Sequence, residues 1–185
     1  MVMRYELKTN SLLVLTGIVF MFTAVVTNAA PKTVITDKTL VQIAIVYKDR
    51  QITMYRNGRE CADYTIKNAE QFGADSKILM GLRHLDANPV GRFFLGSIDD
   101  ARIYNVALDA NTIASLKPNV QSEPKPFAWW NFEDGTLTDQ MKSFSAGMLY
   151  GKARIAKGKL HLDKGGAYLM ATNAAEPLNE ASRSR

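Results

Sequence analysis

The sequence predicts an all-β fold, an antiparallel jelly-roll β-sandwich that is partial or permuted, preceded by an N-terminal signal helix. Three observations predict it. Short segments with alternating or two-sided apolar character recur along the chain. Between two of them stands Asn57-Gly58, a pair that supplies the two positive φ values of a tight hairpin turn. In the second half, Gly147, Gly151, Gly158, Gly165 and Gly166 punctuate further short apolar runs at the spacing of sandwich turns. No long amphipathic helix is legible beyond residue 30.

The leader comes first. Arg4 and Lys8 precede an apolar run of 15 residues, Leu12–Val26, and small residues follow at Ala29 and Ala30. That order of charge, apolar run and small residues is that of a secretory signal. The run is short of the roughly 20 residues a membrane-spanning helix needs. A cleaved signal over residues 1–30 is therefore expected, with an uncleaved anchor as the alternative. A secreted or periplasmic chain with no stable membrane span after cleavage follows from it.

Residues 39–48, "TLVQIAIVYK", are apolar on both alternating faces, as suits a central strand covered on both sides. In "RQITMYRNGRECADYT", Ile52, Met54 and Arg56 alternate with Thr53 and Tyr55 before the Asn-Gly turn. "KILMGLR", residues 77–83, is a further strand, joined to Phe93 by the polar loop "HLDANPVG". From Ser97 to Asn105 the segment carries Ile98, Ile103 and Tyr104, residues that favour a half-buried pleated surface. Asp109 then caps a short helix whose Ile113 and Leu116 share one face. Lys117-Pro118 ends it. A polar linker with two prolines spans residues 119–126. Beyond it, "AWWNFEDG", "GMLYGKARIA", "GKLHLD" and "AYLMA" read as short strands and turns, and residues 173–185 as a disordered tail.

Lys and Arg number 23 against 18 Asp and Glu, a net charge of +5. Without residues 1–30 it is +4, because Arg4, Lys8 and Glu6 go with the leader. The basic residues are scattered, so no nucleic-acid partner is expected. Cys61 is the only cysteine. An internal disulfide is excluded, and a buried thiol is the expected state.

"VQIAIVYKDRQITMYRNGRE…ILMGLRH…FFLGSIDDARIYNVALDANTIASL" resembles the closing half of a laminin-G-like, concanavalin A-like jelly-roll module. In that family a Y-x-N-G hairpin leads to a G-x-I-D-D-x-R-I-Y strand and a closing helical turn. "WWNFEDGTLTD…GKARIAKGKLHLDKGGAYL" is similar to the opening half of such a module. Residues 31–118 thus read as a closing half and residues 127–172 as an opening half. They are either remnants of two modules or one permuted sandwich. The single sandwich is preferred, since each half alone leaves unpaired edges. The arrangement also resembles, more loosely, the N-terminal modules of secreted bacterial levanase-like glycosidases.

That resemblance implies carbohydrate binding, or an accessory role beside a glycoside hydrolase; a truncated fructan-directed hydrolase lacking its catalytic domain and a ligand-free structural spacer are the alternatives. A glycosidase needs two carboxylates flanking the scissile bond. "LDANPVG" lacks the order of the levanase-like nucleophile motif, Glu60-Cys61 matches its acid motif only as an isolated dipeptide, and the β-glucanase E-x-D-x-x-E string is missing. No catalytic residue is assigned.

Ligand contact is assigned to Arg83, His84 and Asp86, beside a loop at the end of the sandwich, and to Trp130 and Tyr150, whose rings suit stacking on a sugar. Trp129 and Trp130 are adjacent on a strand, so one must face the core. Core packing is the preferred role for that pair. His84 and His161 have no zinc-ligand spacing around them. Calcium is the one cofactor considered, at Asp99. For Asp99 and Asp100, pairing with Arg102 or accepting turn hydrogen bonds is the preferred role. Asp134 and Asp139 are expected to stabilise the loop after the Trp strand.

Overall fold

The structure is a computed structural model that describes residues 2–7, 40–69, 72, 76–83, 85, 93–145 and 147–172, the first of these segments by its backbone alone. Its elements are β1 (Val2–Leu7), β2 (Leu40–Lys48), β3 (Gln51–Arg56), β4 (Arg59–Thr65), β5 (Ile78–Met80), β6 (Gly96–Ile103), α1 (Ala110–Ser115), β7 (Ala128–Trp130), β8 (Met148–Tyr150), β9 (Arg154–Ala156), β10 (Lys159–Leu162) and β11 (Tyr168–Ala171). The fold is mostly β, as the sequence predicts, and its strand pairs are antiparallel.

One sheet has eight strands in the order β4-β3-β2-β1-β6-β10-β9, with β7 also beside β6; the other has three, β5-β11-β8. Both sheets mix strands from residues 31–118 and 127–172. In the large sheet β6 pairs with β10 at Gly96–Ile98 and with β7 at Ala101–Ile103, so two short strands share one of its edges. In the small sheet β5 pairs with β11.

Between the sheets lies the main core. Val41, Ile43, Ile98, Ala101, Ile103, Trp130, Leu160 and Leu162 come from the large sheet, and Ile78, Met80, Leu169 and Ala171 from the small one. Phe94, Phe132 and Phe144 fill the rim. The opposite face of β2 is also covered, which explains its two-sided apolarity. There Ala44 and Tyr55 pack against Leu108, Ile113 and Leu116 around α1. The Asp109 carboxylate accepts the Thr112 amide at 2.8 Å and caps that helix. This bond holds the Asp109 carboxyl below its ordinary range. Gln42 Nε2 donates to the Ile113 carbonyl at 3.0 Å, a second donor on the carbonyl that also accepts the C-cap Leu116 amide at 3.3 Å, and so ties β2 to the helix end.

The hairpin tip meets that helix. Asn57 and Gly58 both have positive φ, 51° and 74°, as the turn requires. A Cβ on Gly58 would lie 2.8 Å from the Cα and Cβ of Ala114. Gly58→Ala is therefore expected to cost about 1–3 kcal/mol, combining left-handed backbone strain with a clash against backbone. Chemical denaturation would check this; an unchanged midpoint would show that α1 gives way freely.

Two bulges change which residues face where. Along β6 the register with β1 shifts: Arg4 lies opposite Asp100 and Tyr5 opposite Ile98, so Asp99 is an extra residue. Alternation is interrupted there. Ile98, Ala101 and Ile103 all reach the core, while Asp100 and Arg102 lie together on the other face. The second bulge falls between β3 and β4, where Met54 opposes Ala62 and Tyr55 opposes Glu60. Cys61 is the extra residue. The thiol expected to be buried is exposed, its Sγ donating to the Met54 carbonyl at 3.4 Å, because β4 is an edge strand and the bulge turns Cys61 away from the core.

The expected signal helix is not what residues 2–7 form. They are strand β1, held between β2 and β6. The apolar run at 12–26 and the tail at 173–185 lie outside the described residues. Among the described residues, no helix is long and apolar enough to cross a membrane. The linker is tied down at several points: Asn119 N donates to Asp100 at 2.7 Å, and Tyr104 Oη and Ser122 Oγ lie 2.8 Å apart.

Candidate functional site

Two groups of polar and aromatic side chains compete for a functional role. The first is at the β6–β7 junction. Because Arg102 lies opposite Trp129 across the ladder, its guanidinium sits over the indole, 4.7 Å from the ring centroid. Arg102 Nε and Nη2 donate to the two Asp100 oxygens at 2.8 and 2.7 Å, and Nη2 also donates to the Lys117 carbonyl at 3.0 Å. Asp100 Oδ2 further accepts Trp129 Nε1 at 3.2 Å. Arg102 is 2% exposed and Asp100 3%. Burial works against the charge on Arg102, but the bond and charge of Asp100 more than offset it and hold the guanidinium above its ordinary pKa. With its carboxylate already committed to four donors, this group pins β6, β7 and the linker together. It leaves Asp100 no room to hold a ligand.

Asp139 makes the matching junction on the far side of β7. At 1% exposure, its Oδ1 accepts the amides of Trp129 (2.7 Å) and Met141 (2.9 Å), and its Oδ2 those of Ser143 (2.8 Å) and Phe144 (3.0 Å). Asp134 binds Thr136 through both amide and hydroxyl at 2.9 Å. Both aspartates act on the loop after the Trp strand.

The second group is on the outward face of the small sheet. Leu149, Leu169 and Ala171 point inward, Leu169 and Ala171 at 0% and 1% exposure. By alternation Met148, Tyr150, Tyr168 and Met170 face outward. Tyr150 opposes Tyr168 in register, and their rings stack with centroids 4.5 Å apart and planes 2° from parallel. Burial, followed by the neighbouring Tyr150, raises the Tyr168 hydroxyl above its ordinary pKa. Beside them Met148 is 59% exposed, and Met170 is half-buried. The turns under the tyrosines approach closely: a Cβ on Gly151, whose φ is 62°, would overlap the Gly166 carbonyl. Only a glycine keeps that turn seated.

Of the residues assigned from sequence, Tyr150 lies in this second group. Met80, the last residue of β5, lies opposite Leu169 of β11, and Arg83 comes three residues later, beyond Gly81 (φ 96°) and the Leu82–Phe93 bridge. Arg83 Nε is buried without a hydrogen-bond partner among the described residues. His84 and Asp86 lie outside the described residues. Trp130 has to be withdrawn: it is 1% exposed, packs on Phe144 at 5.7 Å and belongs to the core, while Trp129 takes the outer face. Asp99 is 9% exposed with Lys159 Nζ at 3.8 Å, and no three His, Cys, Asp or Glu among the described residues are grouped to hold a metal. Sequence reasoning missed Tyr168. "AYLMA" carried the signal, since inward Leu169 forces Tyr168 outward beside Tyr150.

The family model for the concanavalin A-like lectin/glucanases superfamily matches residues 13–114, more than half of the chain. The chain belongs to that superfamily. The matched stretch contains the Asn57-Gly58 hairpin, the bulged β6 strand with Asp100 and Arg102, and most of α1; β7, Asp139 and the Tyr150–Tyr168 pair lie beyond it. No curated protein and no solved structure matches the chain.

Proposed function

We propose that the protein is an exported, non-catalytic carbohydrate-binding module, accessory to a glycoside hydrolase of the levanase-like kind. Membership in a lectin/glucanase superfamily supports a carbohydrate-binding type of module. The observation that carries the reading is the outward pair of stacked tyrosines at the end of the small sheet, flanked by exposed methionine. Aromatic rings held rigid on strands cover the apolar face of a sugar at little entropic cost, and the polar groups of neighbouring loops supply specificity. Arg83, three residues beyond β5, would supply a cationic donor for sugar hydroxyls. Export rests on the leader pattern of residues 1–30.

The test is a glycan array and polysaccharide pull-down with the full chain, including levan and inulin. Binding to a defined polysaccharide supports the reading; silence across the array favours a ligand-free spacer. The full chain is also expected to release no reducing sugar from β-fructans or β-glucans. Release above a heat-killed control, abolished by Glu60→Gln, would identify an enzyme instead.

A further inference from the structure

Two chain crossings close one edge of the sandwich at the tyrosine pair. Residues 151–153 carry the chain from β8 in the small sheet to β9 in the large one, and residues 163–167 carry it back from β10 to β11. The crossings touch. A Cβ placed on Gly151 would fall on the Gly166 carbonyl, and the Ala167 amide closes a turn on the Lys164 carbonyl at 3.2 Å. Each crossing also carries an exposed lysine, Lys152 on one and Lys164 on the other. Lys152 lies two residues after Tyr150 and Lys164 four before Tyr168, so both stems start beside the end of the small sheet that holds the stacked rings.

The charge on this edge is one-sided. From Met148 to Ala171 the only acidic residue is Asp163, and Arg154 Nη2 holds it at 2.6 Å. Lys159 lies 3.8 Å from Asp99, on the neighbouring strand. Neither Lys152 nor Lys164 makes an ion pair among the described residues. Each presents a point charge on a flexible four-carbon stem, able to follow a ligand seated on the rings. A neutral sugar there leaves both charges unanswered, whereas a negatively charged one meets both. Single exposed ion contacts are weak, but a polymer that repeats its charge offers many of them at high effective concentration.

We propose that the tyrosine end of the small sheet takes an acidic polysaccharide, one bearing carboxylate or sulfate ester groups, an assignment that rests on the carbohydrate-binding reading and narrows its ligand class. Tyr150 and Tyr168 supply the face for a sugar ring, and Lys152 and Lys164 supply the anion contacts. Neutral polymers bind through the rings alone and more weakly. Salt separates the two contributions: the screening length falls from about 10 Å at 0.1 M to about 3 Å at 1 M, so the charge contribution fades while ring contact persists.

The experiment titrates the full chain with polygalacturonate and with the same polymer fully methyl-esterified, then with dextran sulfate and with dextran. Each titration is run in low salt and in about 1 M salt. The variants are the double change Lys152→Ala with Lys164→Ala, and Tyr168→Ala, each first shown to be folded by its melting transition; Tyr150→Ala replaces Tyr168→Ala if that chain does not fold. At low salt at least one acidic polymer is expected to bind about fivefold or more tighter than its neutral counterpart, the gain that two exposed ion contacts provide. The lysine double variant and high salt should each erase that difference, and Tyr168→Ala should weaken every titration. Which pair shows the difference tells carboxylate from sulfate. Equal affinity for acidic and neutral polymers, lost in Tyr168→Ala, overturns the acidic assignment while the carbohydrate reading stands. Lysine-dependent binding that Tyr168→Ala leaves unchanged and that single-stranded DNA matches is general polyanion adhesion, and it overturns both. So does silence with all four polymers.

Discussion

Arg102→Ala is expected to destabilise the protein by about 3–5 kcal/mol, because it leaves a buried carboxylate without its main counter-charge. Asp100 would keep only Trp129 Nε1 and the Asn119 amide as donors, and the Trp129 ring would lose the guanidinium over its face. Packing alone does not account for the loss. Arg102→Met preserves much of the volume, yet it should remain nearly as damaging while Asp100 is charged. Combining Arg102→Met with Asp100→Leu should cost clearly less than the sum of the two single changes, since the unpaired buried charge is then gone. Urea unfolding of the four proteins measures this. Strict additivity would show that the pair is exposed to water in solution.

Asp139→Ala should be of the same order, about 3–5 kcal/mol, because four amides converge on this carboxylate. The buried Phe144 amide left without an acceptor costs about 1–3 kcal/mol, and the three part-buried ones cost less because water replaces part of the loss. Asp139→Asn separates the causes. It keeps the shape and one acceptor oxygen, but turns an NH2 group toward two backbone donors. Asn is expected to rescue less than half of the loss. Near-complete rescue would mean that only one pair of these bonds carries stability.

The strands that the sequence made legible are those with a local signature. Asn57-Gly58 fixed one hairpin, and the two-sided apolarity of residues 40–46 announced a strand covered by the second sheet on one side and α1 on the other. What was not legible depended on an extra residue. Adjacent aspartates on a regular strand would face opposite ways, and Ile98 and Ile103, five apart, could not share a face. That odd spacing was the trace of a bulge, and the bulge explains why both isoleucines reach the core while Asp100 meets Arg102. The same physics misplaced Cys61. For Trp129 and Trp130 the sequence showed that one must be inside, but only the ladder with β6 decides which: Trp130 opposes inward Ala101, and Trp129 opposes outward Arg102. In the site, Tyr150 was legible as an aromatic at a turn. Its partner Tyr168 became visible only through a strand pairing. The role of residues 2–7 was hidden by their leader composition, because a strand's place in a sheet is set by non-local partners.

On the proposed function, the outward tyrosine pair of the small sheet binds carbohydrate. Calorimetric titration of the full chain with levan tests it most directly, comparing the parent with Tyr168→Ala and Tyr168→Phe. The parent is expected to bind saturably, Tyr168→Ala to lose about tenfold or more, equivalent to about 1.4 kcal/mol, and Tyr168→Phe, which keeps the stack, to bind near the parent's affinity. No heat of binding in the parent, or an affinity that Tyr168→Ala leaves unchanged while the protein stays folded, would contradict it.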